Sequence, residues 1–143
     1  MDRSFIEFNR ASRERMHSLA DSLTDEQMLT KVGEHWTVAI VYAHICWWDR
    51  RVLYVLDMTE KNGKLFIPEI DIFVNDLSLP LWAAVPPREA VRLAMENAEV
   101  LDKRLEEYPA DMLEETYNYN KRWVVRGLHR NEHLGEAEAA LNR

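Results

Sequence analysis

The run from Val38 to Leu56 limits this chain more than any other stretch. Its nineteen residues include Val38, Ile40, Val41, Ala43, Ile45, Trp47, Trp48, Val52, Leu53, Val55 and Leu56, with scarcely a polar side chain before Asp49. β-Branched residues are frequent, which suits a strand, but strands rarely exceed about ten residues and no glycine or proline turns the chain here. The run therefore reads as a helix, with Thr37 as its N-cap. A helix that is apolar on nearly every side needs partners on nearly every side.

Three further helical patterns can supply them. From about Asp2 to Leu23, Phe5, Phe8, Ser12, Met16, Leu19 and Leu23 trace one stripe, while Glu7, Arg10, Arg13 and Glu14 occupy the other side. Thr24 and Gln27 have capping-box spacing and predict a short helical turn before Gly33. Pro87 suits the first turn of a helix over Arg88 to about Tyr108, with Val91, Ala94, Ala98, Leu101 and Leu105 inward. Leu113 to Asn120 reads as loop, and a last helix runs from about Arg122 to Leu141. Between the second and third helices, Thr59–Pro87 is irregular, punctuated by Asn62-Gly63, Pro68, Pro80 and Pro86-Pro87, yet rich in apolar residues. Such a connection packs across a site or against a partner. Four long helices and no convincing sheet predict an all-α four-helix bundle with one long irregular connection.

The 143 residues suffice for one domain, taken as residues 1–143, with a core of its own. A net charge of −7 removes the phosphate-driven attraction on which nucleic-acid binders rely, so no nucleic acid is expected as partner. The single cysteine, Cys46, permits no internal disulfide, and neither a signal core nor a membrane-length apolar run is present. A cytoplasmic protein without a membrane partner is expected.

Chemistry concentrates at three histidines. His129 and His133 are four apart in Gly127–Leu134, hence on one helix face if the segment is helical. His44 lies mid-way along the apolar helix. Alone, it would read as a core imidazole bonded to a neighbour. Beside the other pair it reads as a third ligand, because bundles build metal sites from side chains facing inward off different helices. Three imidazoles suit Zn²⁺ or Ni²⁺ and leave coordination positions open, the mark of a functional rather than a structural site. Around them, Trp48, Arg51 and Arg126 are candidate substrate contacts, the arginines for a carboxylate. Cys46, two residues from His44, should lie on the far side of the helix, buried and inert. Trp47 is read as an apolar anchor, Arg50 as a surface charge, and His17 and His35 as surface or loop residues. His129-Arg-Asn-Glu132-His133 also fits the inverted zinc-peptidase pattern, but a further downstream ligand has only ten residues in which to occur, and Glu132 is offset by about 100° from His133.

The run Trp36–Val52 around His44, together with His129-x3-His133, resembles the DinB-like superfamily, of the DinB/YfiT-like bundle type. That group includes mycothiol-dependent maleylpyruvate isomerases and bacillithiol transferases. Ile70-Asp-Ile-Phe-Val-Asn-Asp76 is similar to the acidic-aromatic-Asn stretch common after the second helix in that group. The resemblance implies His44, His129 and His133 as ligands of a divalent metal, and a low-molecular-weight thiol as co-substrate.

The leading expectation is a metal-dependent thiol transferase or isomerase acting on a small electrophilic or carboxylate substrate. The alternatives are a non-catalytic dimeric metal-binding or stress-related bundle, and a metal-dependent hydrolase. A homodimer is expected, with the second helix or the segment after it at the interface, because one small bundle should not cover so apolar a helix.

Overall fold

The computed structural model describes residues 1–69 and 73–142. Its elements are α1 (Phe5–Ser22), a two-stranded hairpin of β1 (Lys31–Val32) and β2 (Trp36–Thr37), then α2 (Val38–Asn62), α3 (Val74–Ala84), α4 (Pro87–Glu107), α5 (Ala110–Tyr119) and α6 (Gly127–Leu141), with 3-10 turns at Gln27–Leu29 and Lys121–Trp123. The four long helices pack in a closed ring, α2 on α4, α4 on α1, α1 on α6 and α6 on α2.

Local chemistry sets several boundaries. The Thr37 hydroxyl accepts the Ile40 amide at 3.2 Å and starts α2. Gly63, at φ +71°, ends it in the left-handed conformation that other residues avoid. Thr24 and Gln27 form the reciprocal capping box, at 2.9 and 3.1 Å. In the hairpin, Lys31 faces Thr37 and Val32 faces Trp36, so β2 delivers Trp36 to the start of α2.

The fold departs from expectation in three places. Six α-helices are present among the described residues, not four. Leu113–Asn120, expected as loop, lies mostly in α5, a ten-residue helix that buries Leu113 and Thr116 and packs Met112 and Tyr117 against the core. Much of the irregular segment is ordered as well: α2 continues to Asn62 and α3 occupies Val74–Ala84, with Pro80 on its exposed side. Of the Ile70–Asp76 stretch, residues 70–72 lie outside the described residues, and Val74, Asn75 and Asp76 open α3.

Every residue of α2 from Val38 to Cys46 is buried within the one chain. The neighbouring helices, the hairpin and the Gln27–Leu29 turn share that covering. The single chain therefore covers this N-terminal stretch of α2. Tyr54 on its later part, and Ile67, Phe73, Leu77 and Leu81 in the segment that follows, are all at least 49% accessible.

The core is divided into two apolar clusters. One gathers Met16, Val38–Ala43, Ile45, Cys46, Trp82, Ala94 and Leu134. The other gathers Phe5, Val52, Leu56, Leu101, Leu105 and Trp123–Val125. Between them, at one level across all four long helices, lies a buried polar layer. Asp49 accepts from Arg126 Nε at 2.9 Å and from Arg130 Nε at 3.0 Å. Arg130 also donates two bonds of 2.9 Å to Asp102, which accepts in addition from Arg13 Nε at 2.7 Å.

Candidate metal centre

His44 reaches the site from α2, and His129 and His133 from α6. Two contacts fix where α6 begins. Asn9 of α1, itself buried, accepts the Gly127 amide through Oδ1 at 2.9 Å and donates from Nδ2 to the Val124 carbonyl at 2.9 Å. It thereby satisfies one of the N-terminal amides that a helix leaves open. At Gly127 a Cβ would fall 2.6 Å from the Phe8 ring, so only glycine lets α1 and α6 approach this closely.

The three imidazoles converge. His44 Nε2 lies 3.2 Å from His129 Nε2 and 3.1 Å from His133 Nε2. One ligating atom from each residue lies within 4.8 Å of the others, with His44 buried and the other two half-buried. An ion held at about 2.05 Å sets its ligand nitrogens about 2.9 Å apart at a right angle and about 3.3 Å apart in a tetrahedron. The two measured separations fall between these values. Nitrogen lone pairs this close repel one another wherever no proton bridges them, and a cation between them resolves the excess. The cluster can therefore coordinate a divalent metal.

The protonation state agrees. Burial, followed by the proximity of His133 and Arg126, pushes His44 down to about 3. Burial, then Arg126 and the two other imidazoles, holds His129 well below the ordinary histidine range. Both rings are neutral at pH 7, the form a metal requires.

The surrounding shell is aromatic. Trp36 lies 4.5 Å from the His44 ring, Trp82 5.2 Å in an edge-on arrangement, and Trp48 6.2 Å, centroid to centroid. The Trp48 indole is held by Asn75 of α3, which accepts its Nε1–H at 2.9 Å. Buried Nδ1 of His44 has no hydrogen-bond partner, and the Glu136 carboxylate stands 3.4 Å from His133 Nδ1 without the alignment of a hydrogen bond. Arg126 Nη2 is 3.4 Å from His129 Nδ1.

A profile of the DinB superfamily matches residues 9–137. The chain belongs to the DinB superfamily. No curated protein and no solved structure matches it. The match spans α1 to α6 and so includes all three histidines of this DinB-superfamily protein.

The other residues singled out in the sequence separate clearly. Trp48, Arg51 and Arg126 line one cavity with His129. Arg126, however, is engaged: it is 4% exposed, paired with Asp49, and donates from Nη1 to the Arg122 carbonyl at 2.9 Å. Burial depresses its pKa despite Asp49, whereas Arg130, between Asp49 and Asp102, is held above the ordinary value in spite of burial. Cys46 is buried on the side facing Asn97, and burial, then Asp49, pushes its thiol up to about 11. Glu132 is exposed and pairs with Arg122 at 2.7 Å. His17 and His35 are exposed beside Asp21 and Glu34. Arg50 donates to Asn97 at 2.9 Å. Sequence reasoning missed Asn9, Asp49, Arg130 and the Trp36–Trp82 walls. Asp49 carried a signal, as the first charge in the apolar helix. Asn9 carried none.

Proposed function

We propose that this DinB-superfamily protein is a divalent-metal-dependent enzyme of the thiol transferase or isomerase type, acting on a small electrophilic or carboxylate substrate. The observation that carries this reading is the convergence of three imidazole Nε2 atoms from two helices, those of His44 and His129 neutral, without a fourth protein ligand among the described residues. His44, His129 and His133 would hold Zn²⁺ or Ni²⁺. The ion supplies Lewis acidity, lowering the pKa of a thiol or water at its open position. The protein does the rest. Trp36, Trp48 and Trp82 shield the site from solvent on the His44 side, which strengthens electrostatic interactions there. Asn9 and Gly127 fix the start of α6, and Asp49 holds Arg126 against the outer edge of His129. A low-molecular-weight thiol as co-substrate, and a cytoplasmic, reducing setting for it, belong to the same reading.

Glu132 faces Arg122 at the surface, which favours transfer chemistry over a peptidase-like hydrolase. The exposed Phe73, Leu77 and Leu81 on and beside α3 support the homodimer, with α3 rather than α2 as its contact. No helix among the described residues is long and apolar enough to cross a membrane.

The test is metal analysis of protein purified without a histidine tag. About one zinc or nickel ion per chain, lost in a His44→Ala, His129→Ala variant that keeps its helix content, supports the proposal. Metal-free protein whose stability does not change on adding zinc or nickel favours the non-catalytic alternative. The thiol requirement is checked separately, by titrating cobalt-loaded protein with a small thiol and with its alcohol counterpart. Only the thiol should change the visible spectrum.

A further inference from the structure

The cavity on the His129 side of the triad measures about 410 Å³. Arg51 stands in its wall over two indoles, its central carbon 5.1 Å from the Trp48 ring and 5.3 Å from the Trp123 ring. The arginines around the rest of the molecule mostly find carboxylates: Arg13 has Asp102, Arg88 has Asp25, Arg104 has Asp57, Arg122 has Glu132 and Arg126 has Asp49. Arg51 has neither a carboxylate nor a hydrogen bond among the described residues, and its Nε is buried without a partner. Burial, and then the nearby Arg126 charge, lower its pKa, as expected of a cation that lacks an anion. The histidine cluster beside it adds no compensating negative charge.

This arrangement specifies geometry as well as sign. A guanidinium hydrogen-bonds in its own plane, through the N–H groups at its edges. With Nε buried, the edge that remains is the pair of terminal nitrogens, which matches the two oxygens of a carboxylate. The rest of the wall is mixed, with Val52, Ile67 and Pro68 beside the indoles and Tyr119, Asn120, Arg122 and Arg126 completing it. Its apolar part gives the carbon body of an organic anion a surface that a bare phosphate would not use. We propose that the cavity binds a small organic carboxylate, received in its plane by Arg51 beside Trp48 and Trp123, with the rest of the molecule directed toward His129. As an assignment of substrate class this rests on the metal-enzyme reading above. As a binding site it can be tested without the metal.

The experiment compares benzoate, benzamide and inorganic phosphate, by calorimetry and by the NMR shifts of the Trp48 and Trp123 indole N–H groups, on metal-free and on zinc-loaded protein. Benzoate should bind at least about tenfold more tightly than either of the others and shift both indoles, since charge-assisted hydrogen bonds provide the difference. Arg51→Met should weaken benzoate at least about tenfold while cobalt loading, read by its visible spectrum, is unchanged. Arg51→Lys should retain part of the affinity. If Arg51→Met does not fold, the benzoate–benzamide ratio and the indole shifts in the unmodified protein decide. Equal binding of benzoate and benzamide, tighter binding of phosphate, or benzoate binding that survives Arg51→Met would overturn the proposal. Benzoate binding to a protein that takes up no metal would sink the metal-enzyme reading alone, and metal uptake without benzoate binding would sink the carboxylate site alone.

Discussion

Replacing Asp49 by asparagine tests the buried polar layer directly. The carboxylate is fully inaccessible and accepts from two arginines, at 2.9 and 3.0 Å. An asparagine side chain there would present one oxygen and one NH₂ group, so one arginine N–H would face a donor. Arg130 keeps both bonds to Asp102, whereas Arg126 keeps only the Arg122 carbonyl and the edge of His129. Breaking a buried pair in this way costs about 3–5 kcal/mol, because a charge is left buried without its partner. Against a total stability of about 5–15 kcal/mol the loss is large, and at about 3 °C per kcal/mol it lowers Tm by roughly 10–15 °C. Urea unfolding followed by circular dichroism measures it, with an unchanged slope showing that the native fold is retained. Adding Arg126→Met removes the stranded cation and should recover at least about 1 kcal/mol, a coupling that a double-mutant cycle reads out. A loss below about 1 kcal/mol for Asp49→Asn, or strict additivity with Arg126→Met, would refute the account.

Acid should destabilise the metal-free protein: with His44 at about 3 in the folded chain and about 6.5 unfolded, the unfolded state binds the extra proton, so stability falls as pH drops below 6.5. At pH 5 that residue alone removes about 2 kcal/mol, and an unchanged urea midpoint between pH 7.5 and 5 would contradict it. Gly127→Ala drives a Cβ into the Phe8 ring and should cost about 1–3 kcal/mol, largely relieved by Phe8→Ala in the same chain, as thermal melts of the two variants would show. Chelation of metal-loaded protein should lower Tm modestly and leave the helix signal intact, since the two apolar clusters do not include the histidines; complete unfolding in EDTA would mark the ion as structural. Sedimentation at micromolar concentration should find a dimer, disrupted by Leu77→Glu, Leu81→Glu on α3; a 16.9 kDa species in the unmodified protein would show that the exposed face needs no partner.

What the sequence makes legible here is local. The Thr37 cap and the Thr24–Gln27 box are contacts within a few residues, and both occur as the spacing predicts. The four-residue interval of His129 and His133 sets them on one helix face wherever that helix lies, and His44 stands out against its apolar neighbours. The polar layer is of the opposite kind. Arg126 reads as a substrate contact and Arg130 as nothing in particular, because nothing near them in sequence reveals that Asp49, about eighty positions earlier, occupies the same level of the core. Asn9 acts across 118 positions and is silent for the same reason. Helices α3 and α5 escaped because each is short, eleven and ten residues, and few of their side chains are fully buried, so neither pattern runs long enough to stand apart from a loop.

His129 and Arg130 are consecutive, and their side chains serve different halves of the molecule. One joins the metal cluster and the other, with no accessible surface, ties α6 to α2 and α4. A helix cannot turn or slide to reset one without displacing the other. The ligand geometry is thus inherited with the core and is closed to gradual variation, since any intermediate register would strand buried charges. Divergence in what can reach the three histidines must come from parts outside this lock: the hairpin carrying Trp36, helix α3, which holds Trp48, and the turn that carries Trp123. Relatives that bind different ligands there should share the arginine layer and differ around the indoles.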